Sequence, residues 1–281
     1  MNHLISIIKS DGTRQLFEEE KLRNSLKRVG APDEAVEEII DEVEKGMRED
    51  MTTDEIYRRA FALLKKHSHH IAVKYSVRRA LIELGPDGFP FEKFVARMFQ
   101  SWGYQTVTDQ TLLGKCISHE VDVVAWNKEK LVMVEAKFHN EFGLRSDSKV
   151  ALYINARRED LAETFFDYGG IKRKISEFWL VTNTKFTDQA ITYGECNGLK
   201  MLGWNYPTHD NLHEIIEKKG LHPITCVTML SHQQKKDLVG RNILTCIDLI
   251  RQPQVLDQVG VKDDLAARVI SEAKLIIQVR K

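Results

Sequence analysis

Over residues 1–84 the apolar positions recur mostly at helical spacing. Two short runs come first, Ile5-Ser6-Ile7-Ile8 and Gln15-Leu16-Phe17, separated by Ser10-Asp11-Gly12-Thr13. They predict two short strands joined by a turn. Leu22, Leu26 and Val29 line a helix that stops at Gly30, and Val36, Ile39, Ile40, Val43 and Met47 line a second. Thr52 and Glu55 have capping-box spacing ahead of Ile56, Ala60, Leu63 and Leu64, which predicts a third helix. A fourth runs from Ile71 to Leu84 and ends at Gly85-Pro86-Asp87-Gly88, the clearest domain boundary in the chain.

Between 89 and 205 the pattern becomes mixed. A helix from about Phe91 to Trp102 precedes a strand near Tyr104–Val107, a loop, and two apolar runs, His119–Trp126 and Leu131–Lys137. A helix over Val150–Phe166, a strand at Phe178–Val181, a helix over Thr187–Cys196 and a short strand at Leu199–Leu202 follow. That order predicts a mixed sheet flanked by helices. Residues 206–226 read as connective, and 229–281 as all-helical. The expected fold class is multidomain α/β, with domains at 1–86, 87–226 and 227–281.

The runs at 119–126 and 131–137 are apolar enough to be buried strands, yet each carries a carboxylate among its valines. Asn127-Lys128-Glu129-Lys130 suits a hairpin loop. If Trp126 pairs with Leu131, Asp122 falls opposite Glu135, about 5 Å away at Cβ. Two acids that close repel unless a cation lies between them, and an unpaired charge in an apolar strand needs a reason. Alternation puts Glu135 and Lys137 on one face, with Val134, Ala136 and Phe138 on the other. Glu92 borders the apolar stripe of its helix; it either points along the sheet toward these acids or is a solvated first-turn acid favoured by the helix dipole. His119, Glu120 and His139 suggest a rival zinc set, but His119 and Asp122 belong to opposite strand faces, which disfavours a tetrahedral site. His139 and Asn140 fit better as groove residues beside a metal.

Composition narrows the classes. A chain of 281 residues, 42% hydrophobic and 29% charged, fits a globular protein of two or three domains. No apolar run approaches the ~20 residues of a membrane helix. Met1-Asn2-His3-Leu4 does not resemble the start of a signal peptide. Cys116, Cys196, Cys226 and Cys246 are scattered, as free thiols in a reducing cytoplasm would be. A cytoplasmic location is therefore expected. A formal net charge of +0 excludes a whole-surface basic field. Contacts to a nucleic acid must be local, for example at Arg157-Arg158, Lys172-Arg173-Lys174 and Lys235-Lys236.

An Asp, twelve intervening residues, then Glu-Ala-Lys on adjacent strands, preceded by a helix with Glu, resembles the PD-(D/E)XK nuclease core. Mrr-type restriction endonucleases and archaeal Holliday-junction resolvases are nearest in style. The likeness covers about 90–205 and has Val121 where the superfamily's name has Pro. It implies that Glu92, Asp122 and Glu135, with the Ala136 carbonyl, bind Mg²⁺ (or Mn²⁺), and that Lys137 orients or deprotonates the attacking water. The substrate class it implies is DNA. Residues 1–84 resemble an ATP-cone, the nucleotide-sensing domain of ribonucleotide reductases and their transcriptional repressor. The likeness rests on Lys9-Ser10-Asp11-Gly12-Thr13-Arg14, Lys21-Leu22-Arg23, Thr52-Thr53-Asp54-Glu55 and Lys74-Tyr75-Ser76-Val77-Arg78-Arg79. It implies ATP or dATP as effector, held near Lys9, Lys21, Thr53 and a basic residue of the last helix, Lys74 or Arg78. Ser10 stands where many cones have a second basic residue, and Arg14 is the nearby substitute. The cone also implies a homo-oligomer. In the tail, Asp257–Val261 and Leu265–Ile270 resemble half of a helix-hairpin-helix. Together these features predict a metal-dependent DNA endonuclease regulated by ATP or dATP. The rivals are a non-catalytic nucleotide-sensing nucleic-acid binder and a metal enzyme acting on a small phosphate ester.

Overall fold

In a computed structural model of the chain, residues 5–9, 12–141 and 143–278 are described. Met1–Leu4 and the turn residues Ser10 and Asp11 lie outside them. The chain divides into two compact units, residues 1–80 with 141–143 and the remainder.

In the first unit, β1 (Ser6–Ile8) pairs antiparallel with β2 (Arg14–Leu16), as the alternating runs predict. Four helices, α1 (Glu19–Arg28), α2 (Asp33–Lys45), α3 (Thr53–His67) and α4 (His69–Ile82), match the helical spacing. A third strand, β3 (Met51–Thr52), pairs parallel with β1 and is too short to leave a period in the sequence. Leu26, Val36, Ile39, Val43, Ala60 and Leu64 are buried in one core. The Thr52 capping box forms. Thr52 Oγ1 accepts from the Glu55 N–H at 3.1 Å, and Glu55 Oε2 accepts from the Thr52 N–H at 2.8 Å.

The second unit opens with α5 (Phe89–Ser101), followed by β4 (Gln105–Leu113), β5 (Ser118–Trp126) and β6 (Leu131–Lys137). Next come β7 (Arg145–Ser146), α6 (Ser148–Leu161), β8 (Phe166–Tyr168), β9 (Ile171–Arg173) and β10 (Glu177–Thr182). Then follow β11 (Lys185–Phe186), α7 (Asp188–Cys196) and β12 (Lys200–Leu202). The main sheet has the order β12-β10-β6-β5-β4. The first three strands in sequence are antiparallel, whereas β10 and β12 run parallel to β6. The sheet is therefore mixed, as the element order predicts. Phe99 of α5 meets Trp179, which pairs with Val134; Leu161 of α6 clusters with Met133. Neighbouring strand residues face opposite ways, so α5 and α6 cover opposite sides of the sheet.

Three expectations are corrected. The strand near Tyr104–Val107 continues through the polar stretch to Leu113, because β5 supplies a partner along nearly its whole length. The helix expected to reach Phe166 stops at Leu161, and Phe166 enters a hairpin turned by Gly169 and Gly170 at φ 68° and 74°. Both glycines take the left-handed conformation that such two-residue turns require. The stretch 206–226 is not merely connective. It holds α8 (Leu212–Lys219), capped by Asn211, whose side chain accepts from the Glu214 N–H, and ended by Gly220 at φ 65°. The short parallel pair β7–β11 has no counterpart in the sequence pattern. The tail is helical as expected, with α9 (His232–Gly240), α10 (Cys246–Arg251), α11 (Val255–Gln258) and α12 (Asp263–Ile276). It is tied to α5 by Arg97, whose Nε donates to the buried Asp248 carboxylate at 3.2 Å.

Candidate functional site

The β5–β6 ladder has the register read from its loop, Trp126 with Leu131 through Val123 with Val134. One step further on, where Asp122 and Glu135 would face each other, backbone pairing gives way. There the Asp122 carboxylate lies in the sheet and accepts from the Ala136 N–H at 2.7 Å. The same level is interrupted on the other side. Between the pairs Thr108–Val123 and Gln110–Val121, Asp109 turns into the left-handed region at φ 55°. Asx residues tolerate that conformation better than other non-glycine residues. Glu135 points to the α6 side, where Arg157 Nη1 donates to its Oε2 at 2.5 Å. Glu92 approaches from α5, on the other side, and Lys137 ends β6 with its side chain exposed.

The electrostatics record how close these groups are. Burial, then the charges of Asp122, Asp109, Glu135 and Asp87, push the Glu92 carboxyl up to about 7. Burial and the charge of Asp122 push Glu135 up to about 7 against the opposing pull of Arg157. Asp122 is raised by burial, with the Ala136 N–H opposing. The reading of Glu92 as a merely solvated acid is thus displaced by the half-buried position it takes beside the other carboxylates.

A stability experiment reads this directly. A carboxyl whose folded pKa lies above its unfolded value near 4.5 stabilises the fold at low pH. That stability is lost as pH rises from the unfolded value through about 7. Glu92→Gln removes the ionising group, so the variant is expected to exceed the parent in stability by about 1 kcal/mol at pH 8 and to match it near pH 4.5. Urea denaturation in EDTA at the two pH values measures the difference. An equal effect at both would put Glu92 back in solvent.

Among the described residues, no three His, Cys, Asp or Glu side chains are arranged to hold a metal ion. Glu92, Asp122 and Glu135 are close enough to perturb one another but are not a finished ligand set, because Arg157 and the Ala136 N–H occupy oxygens that a metal would need. The zinc alternative fails on geometry. His119 Nε2 is 2.8 Å from Asp160 Oδ2, and its ring is buried. The His139 ring is held by Ser146 Oγ at 3.0 Å, while its backbone N–H donates to Asn183 Oδ1 at 2.8 Å and its carbonyl accepts from Asn183 Nδ2 at 2.7 Å. Most of the basic residues singled out for nucleic acid are engaged within the protein. Arg157 holds Glu135, Arg158 donates to the Asn197 carbonyl, Lys174 pairs with Glu163, and Lys235 donates to the Thr225 carbonyl at 2.8 Å. Arg173 reaches the carbonyls of Lys128 and Tyr168 at 3.2 and 3.3 Å.

The first unit contains a cavity of about 580 Å³ lined by Ile8, Lys9, Thr52, Thr53, Asp54, Tyr57 and Arg79. Lys9 and Thr53 thus meet in one place. Arg14 instead pairs with Asp50 at 2.8 Å and Lys21 with Glu18 at 2.7 Å. Lys74 and Arg78 are not among the lining residues, and burial pushes the Arg78 guanidinium down to about 10. The lining cation of α4 is Arg79, which pairs with Asp54 and lies 4.6 Å over the Tyr57 ring. The expectation of Lys74 or Arg78 is therefore corrected to Arg79, since adjacent helical residues point about 100° apart and only Arg79 of the three lines the cavity.

Comparison with known proteins agrees with this division. The family model of the ATP cone domain matches residues 5–82, and that of the AF1548-like C-terminal domain matches 222–277. An uncharacterized protein of Archaeoglobus fulgidus is 33% identical over 184 residues, spanning 65% of this chain and 99% of that protein. The chain belongs to the AF1548-like family. A solved structure of AF1548, titled a protein of unknown function, has 32% identity and a TM-score of 0.55. That match covers 68% of this chain and 98% of the other. The structure of protein VC1899 from Vibrio cholerae aligns at 14% identity with a TM-score of 0.25, too low to establish a shared fold. The AF1548-like C-terminal match takes in α9–α12 and starts ahead of them, at His222. An ATP-cone beside an AF1548-like region points to regulation by nucleotide sensing. Among the described residues no helix is long and apolar enough to cross a membrane.

Proposed function

We propose that this protein is a metal-dependent DNA endonuclease regulated by ATP or dATP. The observation that carries the reading is that Asp122 and Glu135 sit on adjacent strands at the end of the hairpin that Lys137 closes, while burial and the charge of Asp122 push Glu92 and Glu135 up to about 7. Hard carboxylate oxygens are the donors that Mg²⁺ or Mn²⁺ takes, and clustered acids with raised affinity for protons are relieved by a divalent cation. The three carboxylates and the Ala136 carbonyl would hold the ion, once Glu135 exchanges its ion pair with Arg157. When bound, such an ion stabilises the attacking and leaving oxygens of an in-line displacement. Lys137, at the exposed end of β6, would orient or deprotonate the water. The cavity lined by Lys9, Thr53 and Arg79 would take the effector's triphosphate.

One observation favours a second reading, a nucleotide-sensing regulator that binds nucleic acid without cutting it. The Arg157–Glu135 ion pair supplies a counter-charge to the cluster without any metal. Incubating methylated, unmethylated and branched DNA with Mg²⁺ or Mn²⁺, with and without ATP or dATP, separates the two. The nuclease reading expects cleavage that EDTA abolishes and that Asp122→Asn loses. Nucleotide binding with no cleavage of any DNA supports the regulator.

A further inference from the structure

The second unit has a cavity that neither the acidic cluster nor the nucleotide cavity uses. It measures about 410 Å³ and is lined by Trp102, Trp179, Lys200, Pro207, Asp210 and Lys219 among others. It lies between the C-terminal end of α5, the edge strand β12 and α8, elements of one compact unit. The two indoles stand 5.8 Å apart at their centroids, tilted by 46°, and Phe99 backs both edge-on at 5.0 and 5.5 Å. The Trp179 Nε1–H is anchored on Glu177 at 2.8 Å. This aromatic wall is therefore braced from behind.

Lysines outnumber acids around it. Lys200, Lys218 and Lys219 line the cavity against a single acid, Asp210, which is already neutralised by Lys218 at 2.6 Å. Lys200 and Lys219 are both exposed at the opening. An apolar slot walled by rigid aromatic rings, with ammonium groups at its rim, matches a flat ring carrying an anion on a short tether. Nucleobases stack on such rings at about 1–3 kcal/mol each, and lysines take the attached phosphate. A volume of this order is typical of small-ligand sites.

We infer that the cavity bounded by Trp102, Trp179, Lys200 and Lys219 binds a nucleobase with its phosphate. Two sources share that chemistry, a free mononucleotide and one unstacked nucleotide of a DNA strand. The site stands independently of cleavage at the acidic cluster, since none of its lining residues belongs to that cluster.

The test is fluorescence titration of the full chain in EDTA with thymidine monophosphate and, separately, with hexathymidylate. The difference between the parent and Trp102→Phe isolates the Trp102 emission, because the chain has three other tryptophans. Quenching of that component is expected, with affinity reduced about 10-fold in the Lys200→Glu/Lys219→Glu double variant, whose exposed positions leave the core intact. Equal quenching by both ligands identifies the free nucleotide; quenching by the hexamer alone identifies a strand. If neither ligand alters the Trp102 component, or if the double variant binds as tightly as the parent, the inference is overturned. Because EDTA removes any metal-dependent hydrolysis, this outcome is separate from the fate of the nuclease reading.

Discussion

On the proposed nuclease reading, Lys137→Ala is expected to lower Mg²⁺-dependent DNA cleavage by about 100-fold or more while leaving the fold intact. Lys137 is the last residue of β6, paired in register with Thr182 on β10, and its side chain is exposed. Truncating it exposes no core and breaks no ladder bond, so far-ultraviolet circular dichroism should not change. It lies two residues beyond Glu135 on the same strand, and its positive charge opposes the rise of the Asp122 and Glu135 carboxyls. Loss of a positioned acid–base group costs about 10²–10⁴ in rate. Lys137→Arg keeps the charge but replaces a compact ammonium with a rigid fork, so it should restore little activity. Single-turnover cleavage of a labelled duplex measures both variants. Undiminished turnover in Lys137→Ala would remove this residue from the reaction.

The second large effect concerns stability. Glu272→Ala is expected to destabilise the second unit by about 2–4 kcal/mol. Glu272 sits on α12 at a core position, in helical register with the buried Val269, Ala273 and Ile276, and is 3% exposed. Its Oε1 accepts from the Thr228 N–H at 2.8 Å and from Thr228 Oγ1 at 2.7 Å, while Oε2 accepts from the Met229 N–H at 3.1 Å. Alanine would deprive these part-buried donors of their acceptor and leave a cavity beside Val269 and Ala273. Glu272→Gln keeps the shape and one acceptor oxygen, so it should lose less. Urea midpoints of the three proteins test the order; an alanine variant as stable as its parent would show that solvent reaches Thr228.

Elements with a local cause are legible in the amino-acid sequence. The four-residue loop at Asn127–Lys130 sets the β5–β6 register, because strand pairing propagates from the turn. Thr52 and Glu55 are three residues apart and find each other within one helical turn. The same locality explains the misses. Nothing in Thr108-Asp109-Gln110 announces a strand, since its polar residues gain extended backbone only from pairing with β5. Arg157 resembles any basic residue of α6, and Glu272 any acid of an amphipathic helix, until the partners on other elements are known.

The candidate chemistry divides in the same way. By itself the sequence determined the register of the β5–β6 hairpin, from Trp126 with Leu131 to Val123 with Val134, and so the strands that carry Asp122, Glu135 and Lys137. It also marked Lys9 and Thr53 as companions. Tertiary structure alone decided that Glu92 leans in from α5, that Asp109 adds a fourth charge through a left-handed kink, and that Arg157 engages Glu135. It likewise placed Arg79, rather than Lys74 or Arg78, at the cavity lined by Lys9 and Thr53. Those outcomes depend on which helix face meets which sheet face, and helix–sheet packing is set by the burial of all the apolar side chains together rather than by any short stretch of chain.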